Sequence, residues 1–284
     1  MKKVLCKIIT LVFIVIFASS FCGVLKFSDN FKISFAINEM YDYATIKNVN
    51  ASKPKIAIII DDFGYDRQGV EEMLSIPVPL TCAVMPGLPF STEDAEKAHR
   101  LGHEVIVHMP MEAYGNLPDS WYGPIVIRNS DSEEKAKVTL QTAINSIPHS
   151  RGVNIHMGTA VSQNKKLMKA IMEQIKQNNM YFIDSKTIEG SVCPEVAREV
   201  KLDFAVRDLF LEFGGTNYDF ARKRISEGIT LAKTKGFAIL IGHVGPVGTT
   251  NTAKAIKDSL KEFEQNGIEI VKTSSLFNGP ISEF

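Results

Sequence analysis

Short apolar runs recur along this chain at strand-like intervals, and most of them end in an acid or a histidine. Ile56 to Ile60 is continuously apolar and mostly β-branched, the pattern of a strand buried on both faces. The same pattern predicts strands at Leu80–Met85, Glu104–Val107, Val153–Ile155, Tyr181–Ile183, Phe237–Ile241 and Ile268–Val271. Between them apolar residues fall at helical spacing. Ala136, Leu140, Ala143 and Ile147 follow a Ser130/Glu133 capping box, and Leu167, Ile171 and Ile175 form a second stripe. Ala221, Ile225, Ile229 and Ala232 make a third, and Ile256, Leu260 and Phe263 a fourth. Strand and helix alternating at this rhythm imply a mostly parallel sheet, doubly wound or closed into a barrel.

The polar residues decide between the two. Ligand residues of an open sheet collect at one switch point, whereas those of a barrel sit at the C-terminal ends of many strands. Here Ile60 runs into Asp61 and Asp62, Val107 into His108, Ile155 into His156, Ile183 into Asp184, Val206 into Arg207 and Asp208, and Ile241 into Gly242 and His243. The expected fold is therefore α/β, a barrel over residues 53–284 with one site across its top.

The first 26 residues stand apart. Lys2, Lys3 and Lys7 precede an uncharged, mostly apolar run from Ile8 to Leu25, closed by Lys26. That is an export signal, either cleaved near Ala18-Ser19-Ser20 or retained as a membrane anchor, with everything after Lys26 outside the cytoplasm. Residues 27–52 show no sustained period and read as a spacer. Lysine plus arginine equals aspartate plus glutamate at 32 each, so no net basic field exists to hold nucleic acid. Cys6, Cys22, Cys82 and Cys193 form no CxxC or CxxH cluster, which leaves neither a disulfide framework nor a cysteine zinc site.

Asp61 and Asp62 are adjacent carboxylates at a strand end, and their repulsion calls for compensation, usually a cation. Side chains that diverge there leave one to bind metal and the other free as a base; an Asx turn is the alternative. His108 and His156 end neighbouring strands. With Asp62 they make an Asp-His-His set with open positions, the catalytic kind of zinc site. Glu112, four residues after His108, is a fourth ligand, a ligand through water, or a carboxylate orienting one imidazole. His243 is either a further ligand or a separate acid. Asp184 and Arg207 supply charge to set its protonation and hold the free aspartate, or else form a structural ion pair. Tyr114, Trp121 and Tyr122 form either an aromatic rim for sugar rings or a packed loop. His99, His103 and His149 receive no role.

Together these segments resemble the polysaccharide deacetylase superfamily, specifically its divergent polysaccharide deacetylase branch. Ile59-Ile-Asp-Asp62 resembles the first motif, whose two aspartates serve as base and metal ligand. Gly102-His-Glu-Val-Ile-Val-His108 resembles the lead-in to the second, in which another histidine follows four residues later; Glu112 stands there instead. Asn154-Ile-His-Met-Gly158 resembles the branch's own motif, with His156 in place of the missing histidine. Tyr181-Phe-Ile-Asp-Ser185, Arg207-Asp208 and Ile241-Gly-His243 resemble later motifs, His243 falling at the catalytic-acid position. The superfamily's arginine–proline motif has no counterpart. The resemblance spans about Lys55 to Leu276. It implies a distorted (β/α)7-type TIM-like barrel, a divalent metal ion such as zinc, and hydrolysis of N-acetyl groups on a polysaccharide or peptidoglycan. In that scheme Asp62, His108 and His156 hold the metal, Asp61 takes a proton from water, and His243 protonates the departing amine. Two rivals remain open: another metal-dependent amide hydrolase on the same fold, and an inactive exported barrel that binds a cell-wall partner.

Overall fold

Strand β1, Lys55–Phe63, is the axis of the molecule and is buried along almost its whole length. In this computed structural model the described residues are 53–115, 117–212 and 217–277. The expected export segment and spacer, residues 1–52, lie outside them. One edge of β1 pairs in parallel with β8, Phe237–His243, from Lys55 opposite Phe237 to Asp61 opposite His243. Its other edge is shared between two strands. β9, Glu269–Val271, pairs with Lys55–Ala57, and β2, Thr81–Val84, pairs with the upper part of β1.

From β2 the sheet continues through β3 (Glu104–Met111), β4 (Ser150–Met157), β5 (Tyr181–Asp184) and β6 (Phe204–Val206), while β7 (Leu209–Phe210) lies beyond β8. Every named pairing is parallel. The order β6-β5-β4-β3-β2-β1-β8-β7 ends without a β6–β7 pairing, so the barrel is open along one seam. All seven strands given ranges above are present; β6, whose end at Val206 the polar pattern also marked, is short, and β7 is additional. β3 and β4 run further than expected, placing His108 and His156 inside the strands rather than just after them. The helix expected from a Ser130 cap starts two residues later, at Glu133, where Ser132 Oγ accepts from the Lys135 amide (3.2 Å). Among the described residues no helix is long and apolar enough to cross a membrane.

Two apolar clusters follow from strand alternation. Ile56, Ile58 and Ile60 of β1 pack with the helix layer, whereas Ala57 and Ile59 join Ile106, Ile183, Ile239 and Ile241 inside the barrel. Extending the inward parity up each strand predicts which polar residues reach the mouth. Asp61, His108, Asn154, His156 and His243 all fall on it. Asp184 does not, because its neighbour Phe182 belongs to the helix-facing cluster. At the opposite end the interior is closed by Leu276 and Phe277 and by a polar knot, where Glu104 accepts from Tyr181 Oη (2.8 Å), Thr81 Oγ1 (3.1 Å) and the Ser274 amide (3.1 Å).

Candidate metal centre and active site

Asp62 breaks the parity rule and still reaches the mouth. Its φ is +70°, and the pairing of β1 with β2 shifts register between Ile60 and Phe63. A left-handed residue at a slipped register turns two consecutive side chains toward one opening. The following loop is held from below, since buried Asp94 accepts from the Gly64 amide (2.9 Å) and pairs with Arg67. This arrangement is not the Asx turn entertained above. The next helix begins only at Val70, with Gly69 and no side chain at its cap.

Asp62, His108 and His156 come together, each offering a ligand atom within 4.8 Å of the others. Asp62 Oδ1 lies 3.3 Å from His108 Nε2 and 3.2 Å from His156 Nδ1, and the two nitrogens are 3.0 Å apart. Ligands 2.0–2.2 Å from one ion sit about 2.8–3.1 Å apart at right angles and about 3.3–3.6 Å apart in a tetrahedron, so this triangle has the size of a metal's facial ligand set. Asp62 Oδ1 is buried with no partner in hydrogen-bonding geometry, an orphan that a cation satisfies.

The tautomers agree. Asp61 Oδ1 accepts from Asn154 Nδ2 (2.8 Å), which turns Asn154 Oδ1 toward His108 Nδ1 (2.8 Å). That nitrogen therefore carries the proton, and Nε2 presents its lone pair to the triangle. His156 is set from the other side: its Nε2 donates to the Trp121 carbonyl (3.0 Å), freeing Nδ1. Hydrogen bonds of this kind, fixing each ring's orientation, are the usual support of a metal site. His108 and His156 are not in register; Asn154 lies opposite His108 and His156 opposite Pro110, one step nearer the mouth.

Electrostatics point the same way. Burial pushes the Asp61 carboxyl up, against the pull of His108 and His243. Burial acts on Asp62 too, but His108, His156 and His243 hold it well below the usual carboxylate range. His108 is correspondingly raised, because Asp61 and Asp62 outweigh its own burial. Two adjacent carboxylates, Asp61 buried and Asp62 half-buried, demand positive charge, and a divalent ion meets that demand while releasing protons. The residues present fit such an ion.

The remaining site residues divide. His243, opposite Asp61, carries a pair of bonds to Glu212. Its Nδ1 lies 3.0 Å from Oε2, and its amide donates to Oε1 (2.9 Å), which also accepts from Thr252 Oγ1 (2.6 Å). Although burial opposes it, Glu212 with Asp62 and Asp61 raises the His243 pKa to about 9. Glu212, buried and unnoticed in the sequence, thus sets the protonation of His243, one of the two tasks expected of Asp184 and Arg207, while Asn154 holds Asp61. Only the position of Glu212 two residues past β7, a strand too short to show in the apolar pattern, could have signalled it. Asp184 faces away, accepting from the Lys186 amide (2.7 Å) and Ser191 Oγ (2.8 Å). Arg207 donates to the carbonyls of Ser185 (2.8 Å) and Lys186 (3.0 Å) and lies 3.7 Å over the Phe210 ring, which is 5.7 Å from His243. It makes no ion pair with Asp61 or Asp184 among the described residues. Glu112 stays out of the ligand cluster, its carboxylate accepting from the Asn129 amide (2.6 Å). Of the expected aromatic rim, Tyr114 and Trp121 are exposed, whereas Tyr122 is buried and its hydroxyl accepts from the Ala113 amide (3.1 Å).

A family model described as divergent polysaccharide deacetylase matches residues 58–277. The uncharacterized protein YibQ of Escherichia coli (strain K12) is 32% identical over 226 residues, covering 80% of this chain and 68% of YibQ. Among solved structures, the uncharacterized protein ATU2773 from Agrobacterium tumefaciens C58 superposes with a TM-score of 0.73 at 21% identity, covering 84% of this chain and 94% of that one. The Bc1960 peptidoglycan N-acetylglucosamine deacetylase gives 0.55 at 12% identity, covering 88% and 99%. At such identities the solved structures show a shared fold, the expected barrel. The matched span runs from β1 through the last described turn and takes in Asp61, Asp62, His108, His156 and His243 alike, and on that footing the chain belongs to the divergent polysaccharide deacetylase family.

Proposed function

We propose that this protein is a metal-dependent hydrolase that removes N-acetyl groups from a cell-envelope polysaccharide, peptidoglycan being the leading substrate. The observation that carries the reading is a division of labour at one barrel mouth. Three donor atoms form a metal-sized triangle, while a carboxylate and an imidazole beside them are left for proton transfer. A fold shared with a peptidoglycan N-acetylglucosamine deacetylase supports the substrate class.

When bound by Asp62, His108 and His156, a divalent ion, zinc being the best match to this donor set, supplies Lewis-acid polarisation of the acetamide carbonyl and lowers the pKa of water. Asp61 is aimed by Asn154, and burial raises its proton affinity, both suited to a general base. Expelling an amine as its anion is prohibitively uphill, so the nitrogen must be protonated as it leaves. His243, tied at Nδ1 to Glu212, leaves Nε2 to donate that proton. Export is part of this reading, supported by Lys2, Lys3 and Lys7 ahead of the Ile8–Leu25 run, with residues 53–284 as the catalytic domain outside the cytoplasm.

The test is acetate release from peptidoglycan and from N-acetylglucosamine oligomers by protein stripped of metal and then given zinc. Asp61→Asn and His243→Ala should retain most of the zinc while losing ~10²–10⁴ in rate. His243→Ala should spare an activated aryl acetate, whose leaving group needs little protonation. A folded protein that releases no acetate with zinc would favour the binding-only alternative, and loss of zinc in His243→Ala would make His243 a ligand.

A further inference from the structure

We infer that the Trp121 indole is the stacking floor for one N-acetylhexosamine ring of a polymer, and that its main-chain carbonyl ties this subsite to the metal centre. The inference rests on the hydrolase reading above and adds where the polymer lies. Six large apolar side chains are prominently exposed among the described residues. Three of them, Tyr65, Tyr114 and Trp121, belong to the connections that follow β1 and β3 at the mouth, and Val247 lies in the first turn of the helix after β8, Gly245–Asp258; only Leu101 and Val138 lie elsewhere. Scattered singly, such exposure needs no explanation, but gathered around a catalytic opening it marks a binding surface.

Trp121 is exposed on a braced backbone. It ends a short 3-10 turn, Asp119–Trp121, and the next residue, Tyr122, is buried. Arg128 lies 4.7 Å over the Tyr122 ring and bonds Asp119 Oδ1 (2.6 Å). Glu112, standing where the family's second histidine is expected, clamps the far end of the loop through the Asn129 amide. A braced backbone beneath a 56% exposed indole lowers the ordering cost of binding a flat apolar face. The faces of a pyranose ring carry C–H groups and suit an indole, whereas its hydroxyl edge does not. Hydrolysis of a lone acetamide needs no such platform; a polymer gains from it, because binding energy away from the scissile bond positions the reacting group.

The carbonyl of the same residue accepts from His156 Nε2 (3.0 Å). Side chain and main chain of Trp121 therefore do separable things, and a substitution removes only the first. Trp121 is the single tryptophan of the protein, so intrinsic fluorescence reports on this position alone.

The experiment titrates the full-length chain, zinc-loaded, with the β-1,4-linked N-acetylglucosamine tetramer and with the monosaccharide. The tetramer should change the Trp121 emission saturably, and the monosaccharide much less. Trp121→Ala should raise KM for the tetramer by about tenfold with zinc affinity unchanged, and Trp121→Phe should recover most of that loss. An unchanged KM in Trp121→Ala, in a parent that hydrolyses the tetramer, overturns the subsite. So does a loss of zinc affinity that matches the rise in KM, since the indole would then be only structural. If the parent releases no acetate but its emission still titrates with the tetramer, the hydrolase reading fails and the subsite stands. A parent silent in both overturns both.

Discussion

Asn154→Leu isolates the link between base and metal ligand. The two side chains are close in size, but leucine removes both 2.8 Å hydrogen bonds, one to Asp61 Oδ1 and one from His108 Nδ1. Asn154 is fully buried, so no water replaces them without rearrangement. Each group left unsatisfied costs about 1–3 kcal/mol. Part of that is recovered when the His108 ring turns or changes tautomer, which withdraws Nε2 from the triangle. Losing a ligand's orienting partner typically weakens metal binding by about 10–100-fold, or about 1.4–2.7 kcal/mol, and Asn154→Leu should fall within that range. Competition with a coloured chelator measures the zinc affinity, and nitrogen-15 shifts of the His108 ring report its tautomer. Asn154→Asp separates the two functions. It keeps an acceptor for His108 Nδ1 but sets a second carboxylate against Asp61, so zinc affinity should survive while the rate collapses. Zinc bound by Asn154→Leu as tightly as by the parent, with the His108 shifts unmoved, would refute the tautomer argument.

Three other outcomes are expected. His156→Ala should abolish tight zinc binding, whereas Glu112→Gln, which keeps an acceptor for the Asn129 amide, should change it little; equal losses would make Glu112 a ligand. His103, which accepts from the Leu80 amide (3.2 Å) and bonds the Leu74 carbonyl (3.1 Å), has its pKa lowered chiefly by burial. A depressed folded pKa means that the unfolded chain binds the extra proton first, so stability is full above ~6.5 and falls as pH drops below it; His103→Gln should flatten that acid decline in Tm, and an identical decline would exclude His103 as its source. A reporter fused after Lys53 should be active only outside the cytoplasm, and activity inside would overturn the export reading.

Much of this molecule was legible in the residue pattern because burial on both faces of a parallel strand leaves a continuous apolar run. The seven runs from Ile56 to Val271 mark seven strands, and the polar residue ending most of them marks the mouth. The co-occurrence of Asp62, His108 and His156 at strand ends was enough to group them, since all parallel strands of a barrel deliver their ends to one face. What the sequence could not state was rotation about each strand. Asp184 ends an apolar run as convincingly as His108 does, yet its parity turns it away, while Asp62, of the wrong parity, is turned in by a left-handed φ of 70°. Glu212 was invisible because β7 has only two residues, Leu209 and Phe210, too short for any period, and its bond to His243 spans 31 positions. Asn154 stood in the motif Asn154-Ile-His-Met-Gly158 with no role attached to it; only strand register set it opposite His108 and brought it against Asp61, 93 residues away. Local sequence thus determined which segments are buried and where they end, because apolar burial is a property of each segment. The tertiary structure alone decided which end-residues meet and which nitrogen each imidazole presents, because those depend on hydrogen bonds between strands far apart in the chain.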